Sequence, residues 1–362
     1  MAIEKIKLKN FTVFEDINID FCKGINIFIG ENGAGKTHLL KVLYFFMHEL
    51  GADYGSIVFG DLFGRVSCST NIIRNLDDCN GIAEFSCTID GNEESLRLDV
   101  SRNKKDLISR ISVSDKRISP KNATNSNSIY IHFGPLRSWQ KNESKPKSIF
   151  IPAKEMLSHS KSLLALDHER NIPFDKTLID IVAKAELGES KSISQLSQKL
   201  LDCLSDIIDG EVIYENDTFY MIKKNGLRIE FSMEADGLCK FGLLWKLIRN
   251  SLIEKDTILF WDEPETNINP QLIPDLVEIL LELQRNGVQI FLATHDCNLA
   301  KYFEVKQKKE DSIVYYNLFK TKNGVQYTKA VTYGDIVNNP IEEADEKLYE
   351  DILINFRRGN NR

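Results

Sequence analysis

The sequence predicts an α/β fold: a phosphate-loop mixed-sheet core with an antiparallel β subdomain and an inserted helical subdomain. Three observations predict it. An apolar strand, "INIFI", runs into G-x-x-x-x-G-K-T and then into a helix-like stretch. Two apolar strands in the last third end in polar clusters, "TILFWDEPE" and "GVQIFLATHD". Between these halves, from Ala153 to Asp209, strand-like alternation gives way to helical spacing. The segments expected are 1–152, the N-terminal part of the core with the β subdomain; 153–235, the inserted helical subdomain and a hairpin; and 236–362, the C-terminal part of the core.

Taken in order, "IEKIKL" and "INIDF" alternate and predict two strands ahead of the phosphate-loop strand. The loop itself is Gly30, Glu31, Asn32, Gly33, Ala34, Gly35, Lys36 and Thr37, with His38 next. Its glycines let consecutive N–H groups turn inward around an anion, and the helix N-terminus adds partial positive charge. Lys36 is placed to reach the β- and γ-phosphates of a nucleotide, and the Thr37 hydroxyl to complete Mg²⁺ coordination. "HLLKVLYFFMHEL" is apolar on most sides and predicts a buried helix.

"IAEFSCTI" and "LRLDV" flank Asp90-Gly91 and predict a hairpin. "LISRISV" and "IYIHF" follow, with a polar linker from Ser119 to Ser128. Arg97 to Lys121 carries eight basic and three acidic residues. That stretch is either a duplex-facing stripe or a solvated hairpin face, and the lack of interleaved aromatics favours the second. "KTLIDIVAKAEL" and "ISQLSQKLLDCLSDII" have helical spacing, and "TFYMIKKNGLRIEF" is a hairpin turning at Asn225-Gly226. The end of the chain carries a hairpin at Asn323-Gly324 and a short acidic helix. No repeat and no heptad run suggests coiled-coil arms.

Composition fits a soluble globular protein, with 362 residues, 42% hydrophobic and 27% charged. No apolar run approaches the ~20 residues that span a bilayer, and "MAIEKIKLKNF" is not a signal peptide. Seven cysteines without paired spacing suggest reduced thiols in a cytoplasmic protein. A net charge of −7 gives no global pull toward nucleic acid.

"TILFWDEPE" delivers carboxylates at a strand's C-terminal end, where open α/β sheets place ligands. Asp262 is expected to hold Mg²⁺ and Glu263 to polarise the attacking water. D-E-P could alternatively start a helix, but the apolar strand before it selects the catalytic reading. His295, at the end of the other strand, can donate a hydrogen bond to a γ-phosphate oxygen; the alternative is a structural strand-end histidine.

Phosphate loop, long insertion, strand-DEPE and strand-TH together resemble the ABC-type ATPases of the SMC-like and RecF-like branch. Within that branch they resemble small prokaryotic ATP-binding proteins related to the OLD ATPase half and to ATPases of anti-phage systems such as Septu and PARIS. "FTVFEDINIDF", "FIPAKEMLS" and "EADGLCKFGLLWKLI" are similar to further motifs of that group. The resemblance implies an ABC-type head without coiled-coil arms, using ATP and Mg²⁺, with Lys36, Glu263 and His295 as catalytic residues. It implies an ATP-dependent head-to-tail homodimer, a separate effector such as a nuclease, possible nucleic-acid contact and no membrane.

The family's signature segment, LSGGQ, corresponds here to "SMEADGLCKFGLLWKLIRN". Gly237 matches, whereas Ala235 stands in place of the serine. In the helix that follows, Leu238, Phe241, Trp245 and Ile248 share one face, with Lys240, Lys246 and Arg249 off it. Gly237 at its start would offer N–H donors to a γ-phosphate across a dimer. The missing serine and the nearby Asp236 imply slow hydrolysis, suiting a switch more than a motor. Residues 266–270, "TNINP", stand where the family contacts its partner subunit's site, and Lys154 and Glu155 where it has its glutamine loop.

Two other functions remain. An OLD-like nuclease needs an acidic metal-binding domain after His295, where "NNPIEEADEKLYEDIL" reads instead as a terminal helix with Glu342, Glu343, Asp345 and Glu346 solvated. A transporter ATPase subunit predicts a full signature and a shorter gap between the phosphate loop and the acids.

Overall fold

The computed structural model describes residues 1–51, 62–63, 74, 80–102, 107–110, 147–170 and 174–359. The expected strand "IYIHF", the linker 119–128 and much of the basic stretch 97–121 lie outside them.

The chain begins with an antiparallel pair, β1 (Ile3–Phe11) and β2 (Phe14–Asp20), which buries alternate residues. It continues through β3 (Ile25–Gly30) into α1 (Lys36–Gly51). The Asp90-Gly91 hairpin is present as β4 (Asn80–Ile89) and β5 (Asn92–Arg102), followed by β6 (Leu107–Arg110). These strands form a five-stranded antiparallel sheet in the order β2-β1-β4-β5-β6. After β7 (Lys147–Ile151) come α2 (Leu163–Arg170), α3 (Lys176–Ala185) and α4 (Gln195–Ile207). Asp175 and Ser194 cap α3 and α4 by accepting from the backbone N–H groups of Thr177 and Ser197.

A small antiparallel sheet follows: β8 (Gly210–Glu215), β9 (Thr218–Lys223) and β10 (Arg228–Glu230), with its turn at Asn225-Gly226. The remainder is α5 (Asp236–Arg249), β11 (Thr257–Asp262), α6 (Ile273–Arg285), β12 (Gln289–Ala293), α7 (Cys297–Lys306), β13 (Ile313–Thr321), β14 (Gly324–Ala330) and α8 (Pro340–Gly359).

The central sheet has six strands in the order β14-β13-β3-β12-β11-β7, parallel except for β14. Its period of two decides the layers. Ile25, Ile27, Ile29, Leu259, Trp261, Ile290 and Leu292 face one core, shared with α3 to α7 and with β8 and β9. Phe28, Phe150, Phe260 and Phe291 face the other, shared with α1 and the five-stranded sheet. On that face Phe150, Phe260, Phe291, Phe28 and Tyr316 form a row of near-parallel rings across five strands, with successive centroids 6.5, 5.2, 6.5 and 5.1 Å apart. Tyr44 of α1 packs on Phe150 and Phe260.

Two expectations need correction. α5 is not amphipathic in the expected sense, because Lys240 and Lys246 are buried at 2% and 4% exposure. Lys240 is covered by the turn after β11, Lys246 lies 3.6 Å from Glu189, and β8 packs on the same helix, so the side that a helical wheel assigns to solvent is closed. The terminal helix α8 is 20 residues long rather than short. Of its acids, Glu342 and Asp345 are not free in solvent but pair with Lys301 of α7.

Candidate functional site

β3, β11 and β12 run parallel, with β12 between the others, so their C-terminal ends open on one edge of the sheet. At the end of β3 the phosphate loop bends around Gly35, whose φ is +86°. A Cβ there would meet Val13 Cγ2 at 2.6 Å and Phe14 Cζ at 2.7 Å, so the β1–β2 turn permits only glycine.

Lys36 follows at 5% exposure. Its Nζ donates to the carbonyls of Gly30 (2.8 Å) and Glu31 (3.0 Å) and lies 3.5 Å from His295 Nδ1. Burial lowers its pKa to about 8 against the opposing pull of Asp262, Glu263 and Glu265. The Thr37 hydroxyl donates to both Asp262 oxygens, at 2.9 and 3.1 Å. Burial pushes the Asp262 pKa up to about 6 despite that bond. A hydroxyl beside a buried carboxylate is a hard-oxygen pair of the kind Mg²⁺ takes.

Glu263 sits in the left-handed region with φ +46°, uncommon for a side chain of its size. Its N–H bonds the Ala293 carbonyl at 2.8 Å, and its Oε2 accepts from the Thr266 hydroxyl at 3.2 Å. Its Oε1 faces His295 Nε2 at 3.6 Å. His295 thus lies between the ammonium of Lys36 and the carboxylate of Glu263. With Nδ1 accepting from Lys36, the ring proton belongs on Nε2. Burial, then Lys36, lowers the His295 pKa against Glu263, so the ring is neutral near pH 7. Asp296 caps α7 by accepting from the Leu299 N–H.

The structure therefore brings together Lys36, Thr37, Asp262, Glu263 and His295. His38 lies apart from that cluster. Its ring is 5.3 Å from Phe63 and 6.2 Å from Phe11, and burial followed by Lys41 lowers its pKa to about 4. Gly237 is in the first turn of α5, where a Cβ would fall 2.5 Å from the Asn267 carbonyl oxygen. That close approach seats α5 on the 266–270 loop, and Asn267 Nδ2 donates to Asp236 at 3.0 Å. Glu155 caps the short turn 157–159, accepting from the Leu157 and Ser158 N–H groups.

Three residues without an expected role join the site. Buried Lys240 donates to the carbonyls of Glu263 (3.0 Å) and Pro264 (3.5 Å). Glu265 Oε1 accepts from the Thr294 hydroxyl (2.7 Å) and the His295 N–H (3.1 Å), tying the two strand ends together. Lys320 of β13 donates to the Asn32 carbonyl at 2.8 Å. The third acid of DEPE was a visible signal for Glu265; no local pattern marks the two lysines.

Comparison with known proteins agrees with this architecture. The family described as "AAA domain, putative AbiEii toxin, Type IV TA system" matches residues 25–300, more than half of the chain. The DNA replication and repair protein RecF of Lactococcus lactis subsp. cremoris is 44% identical over 45 residues, 12% of each protein. RecF of Lactobacillus gasseri is 39% identical over 74 residues, 18% of this chain and 20% of that one. The matched stretches thus span only 12% to 20% of these relatives' length.

Among solved structures, the SMC head bound to the C-winged helix domain of ScpA has a TM-score of 0.52 at 14% identity, covering 92% of this chain and 99% of that one. An SMC head with an extended coiled coil, bound to the C-terminal domain of ScpA derived from Pyrococcus furiosus, has a TM-score of 0.51 at 12% identity, covering 97% and 99%. At such identities the likeness concerns the fold.

Proposed function

The chain belongs to the AAA-domain family that matches most of it, and from that premise we propose that it binds ATP with Mg²⁺, hydrolyses it slowly and works as a nucleotide-controlled dimerisation switch. One observation carries the reading: Lys36, Thr37, Asp262, Glu263 and His295 meet within hydrogen-bonding or ion-pair reach at one sheet edge.

The loop from Gly30 to His38 is the proposed cradle for the phosphates, with Lys36 neutralising their charge. Thr37 and Asp262 would hold Mg²⁺, which supplies further neutralisation when bound. Glu263 orients and polarises the attacking water, and His295 offers its Nε2–H to a γ-phosphate oxygen. In a head-to-tail homodimer, Gly237 and the start of α5 of one copy would face the phosphates held by the other. With Ala235 where a signature serine would donate, hydrolysis is slow.

No helix among the described residues is long and apolar enough to cross a membrane, which accords with a proposed cytoplasmic location. The SMC heads with this fold carry a separate bound protein, ScpA. By analogy the effector here is proposed to be a separate chain, such as a nuclease, within an anti-phage or DNA-transaction complex.

The test compares wild type, Lys36→Ala and Glu263→Gln. Wild type is expected to release phosphate slowly with Mg²⁺, Lys36→Ala to lose nucleotide binding, and Glu263→Gln to bind without turnover. Calorimetry finding no magnesium-nucleotide affinity in wild type would overturn the proposal.

A further inference from the structure

The strand that delivers His295 stops short of it. β12 ends at Ala293, and the Thr294 N–H still reaches the sheet, bonding the Phe28 carbonyl of β3 at 3.0 Å. The His295 N–H turns elsewhere, to Glu265 Oε1 at 3.1 Å. The same oxygen accepts from the Thr294 hydroxyl at 2.7 Å. Thr294 Oγ1 in turn accepts from the Asp296 N–H at 2.9 Å, and Asp296 caps α7. One carboxyl oxygen, directly or through one hydroxyl, thus fixes residues 294 to 296, with the imidazole in the middle.

The other end of this tie is rigid. Glu265 lies in a turn closed by the Thr266 N–H on the Glu263 carbonyl at 3.2 Å and by the Ile268 N–H on its own carbonyl at 3.0 Å. Lys240 clips the Glu263 and Pro264 carbonyls from below. Burial raises the Glu265 pKa. Its second oxygen, Oε2, is buried with no hydrogen-bond partner among the described residues. A buried carboxyl group satisfied at one oxygen only is a poor stabiliser, so its effect is one of placement.

We propose that Glu265 is the positioning residue for His295, holding the Thr294–His295 step so that the ring stays between Lys36 and Glu263. It acts through His295 rather than on a substrate. The ring has Nδ1 3.5 Å from Lys36 Nζ and Nε2 3.6 Å from Glu263 Oε1. Both separations are at the limit of contact, so a shift of about 1 Å at the strand end would break one or the other, and a displacement of that size can cost a catalytic site roughly 100-fold. The kinetic side of this role rests on the ATPase reading proposed above. The placement of the ring does not, because every bond in it lies within the chain.

The test reads the ring first, by ¹⁵N NMR of the full chain labelled at histidine, without nucleotide, with His295 assigned from His295→Gln. Wild type is expected to show two well-separated ring nitrogens, Nδ1 as acceptor and Nε2 protonated. Glu265→Ala should bring them toward the averaged values of an exposed histidine. Glu265→Gln keeps the accepting oxygen and should leave them in place. In phosphate release, Glu265→Ala should lower kcat by about 10- to 100-fold at constant nucleotide Kd, with Glu265→Gln within about threefold of wild type. In a His295→Ala background, Glu265→Ala should cost no more than about twofold, because residues that act as one unit are not additive.

Unchanged His295 signals in Glu265→Ala overturn the assignment. So does a Glu265→Gln protein as impaired as Glu265→Ala, or two losses that multiply in full. If circular dichroism shows that Glu265→Ala does not fold, Thr294→Val removes the tie from the other side and should move the same signals; unmoved signals there overturn it as well. A wild type that binds no nucleotide removes the ATPase reading alone, and the ring nitrogens still decide the role of Glu265.

Discussion

Lys240 is 2% exposed, yet its ammonium reaches two carbonyls, those of Glu263 at 3.0 Å and Pro264 at 3.5 Å. It clips the turn in which Glu263 adopts its left-handed conformation, so it acts as a positioning residue within its own chain. Lys240→Met keeps the stem and removes the donor. Turnover is expected to fall by about 10- to 100-fold with ATP affinity retained, read as a kcat loss at constant nucleotide Kd. Asp262 carries the second residue-scale prediction. Its folded pKa, about 6, lies above the ordinary carboxylate value of about 3.9. The folded chain therefore holds that proton more tightly than the unfolded chain, and ligand-free stability declines as pH rises from about 4 through 6. Asp262→Asn removes this penalty and should gain about 3 kcal/mol at pH 7 in urea unfolding, with little gain at pH 4. If Asp262 holds Mg²⁺ as proposed, the same proton would compete with the ion in wild type, and magnesium-dependent nucleotide affinity should drop about tenfold per unit below pH 6. The glycine-lysine-threonine loop could be read locally because consecutive backbone groups build it. Lys240 could not, because a lysine defaults to the surface until a distant turn offers it carbonyls.

At the scale of elements, α1 and α3 are joined by a polar bridge inside an apolar interface. Lys41 pairs with Asp175, and the Tyr44 hydroxyl donates to Asp180. Lys184 reaches Asp180 at 2.7 Å, the Tyr44 hydroxyl at 2.9 Å and the Ser148 carbonyl at 3.0 Å. The helix behind the phosphate loop is thereby linked to the inserted helices and to β7. Burial pushes the Asp180 pKa up, but the charge and hydrogen bond of Lys184 outweigh it and leave it lowered. Its contribution is present above the unfolded carboxylate pKa and fades as pH falls. Asp180→Asn should cost about 1–3 kcal/mol at pH 7, and the gap from wild type should narrow below pH 4 in denaturant melts. The hairpins at Asp90-Gly91, Asn225-Gly226 and Asn323-Gly324 were legible because turn chemistry and alternation are local. So were the apolar strands β3, β11 and β12. The burial of α5 was not legible: its wheel gives Lys240 and Lys246 to solvent, and only segments distant in sequence, the turn after β11 and the stretch carrying Glu189, cover that side. In α8 the acids hid an apolar arc that exposure makes visible.

For the whole molecule, parallel strand order does what no single element can. Asp262 on β11 and the phosphate loop after β3 are separated by β12, yet register sets all three strand ends at one edge. That edge is where ATP and ADP must be told apart if the head is a switch. If contacts to the γ-phosphate discriminate by ~3 kcal/mol, association shifts about 150-fold between the two nucleotides, enough to convert a mostly monomeric population into a mostly dimeric one. Glu263→Gln is expected to hold the nucleotide without consuming it, so sedimentation of this variant should show a tighter dimer with ATP than with ADP. With ADP the heads should be monomeric and with ATP dimeric. Equal sedimentation in both nucleotides would remove the switch and leave a head that binds without signalling, even with every site residue where the sheet places it.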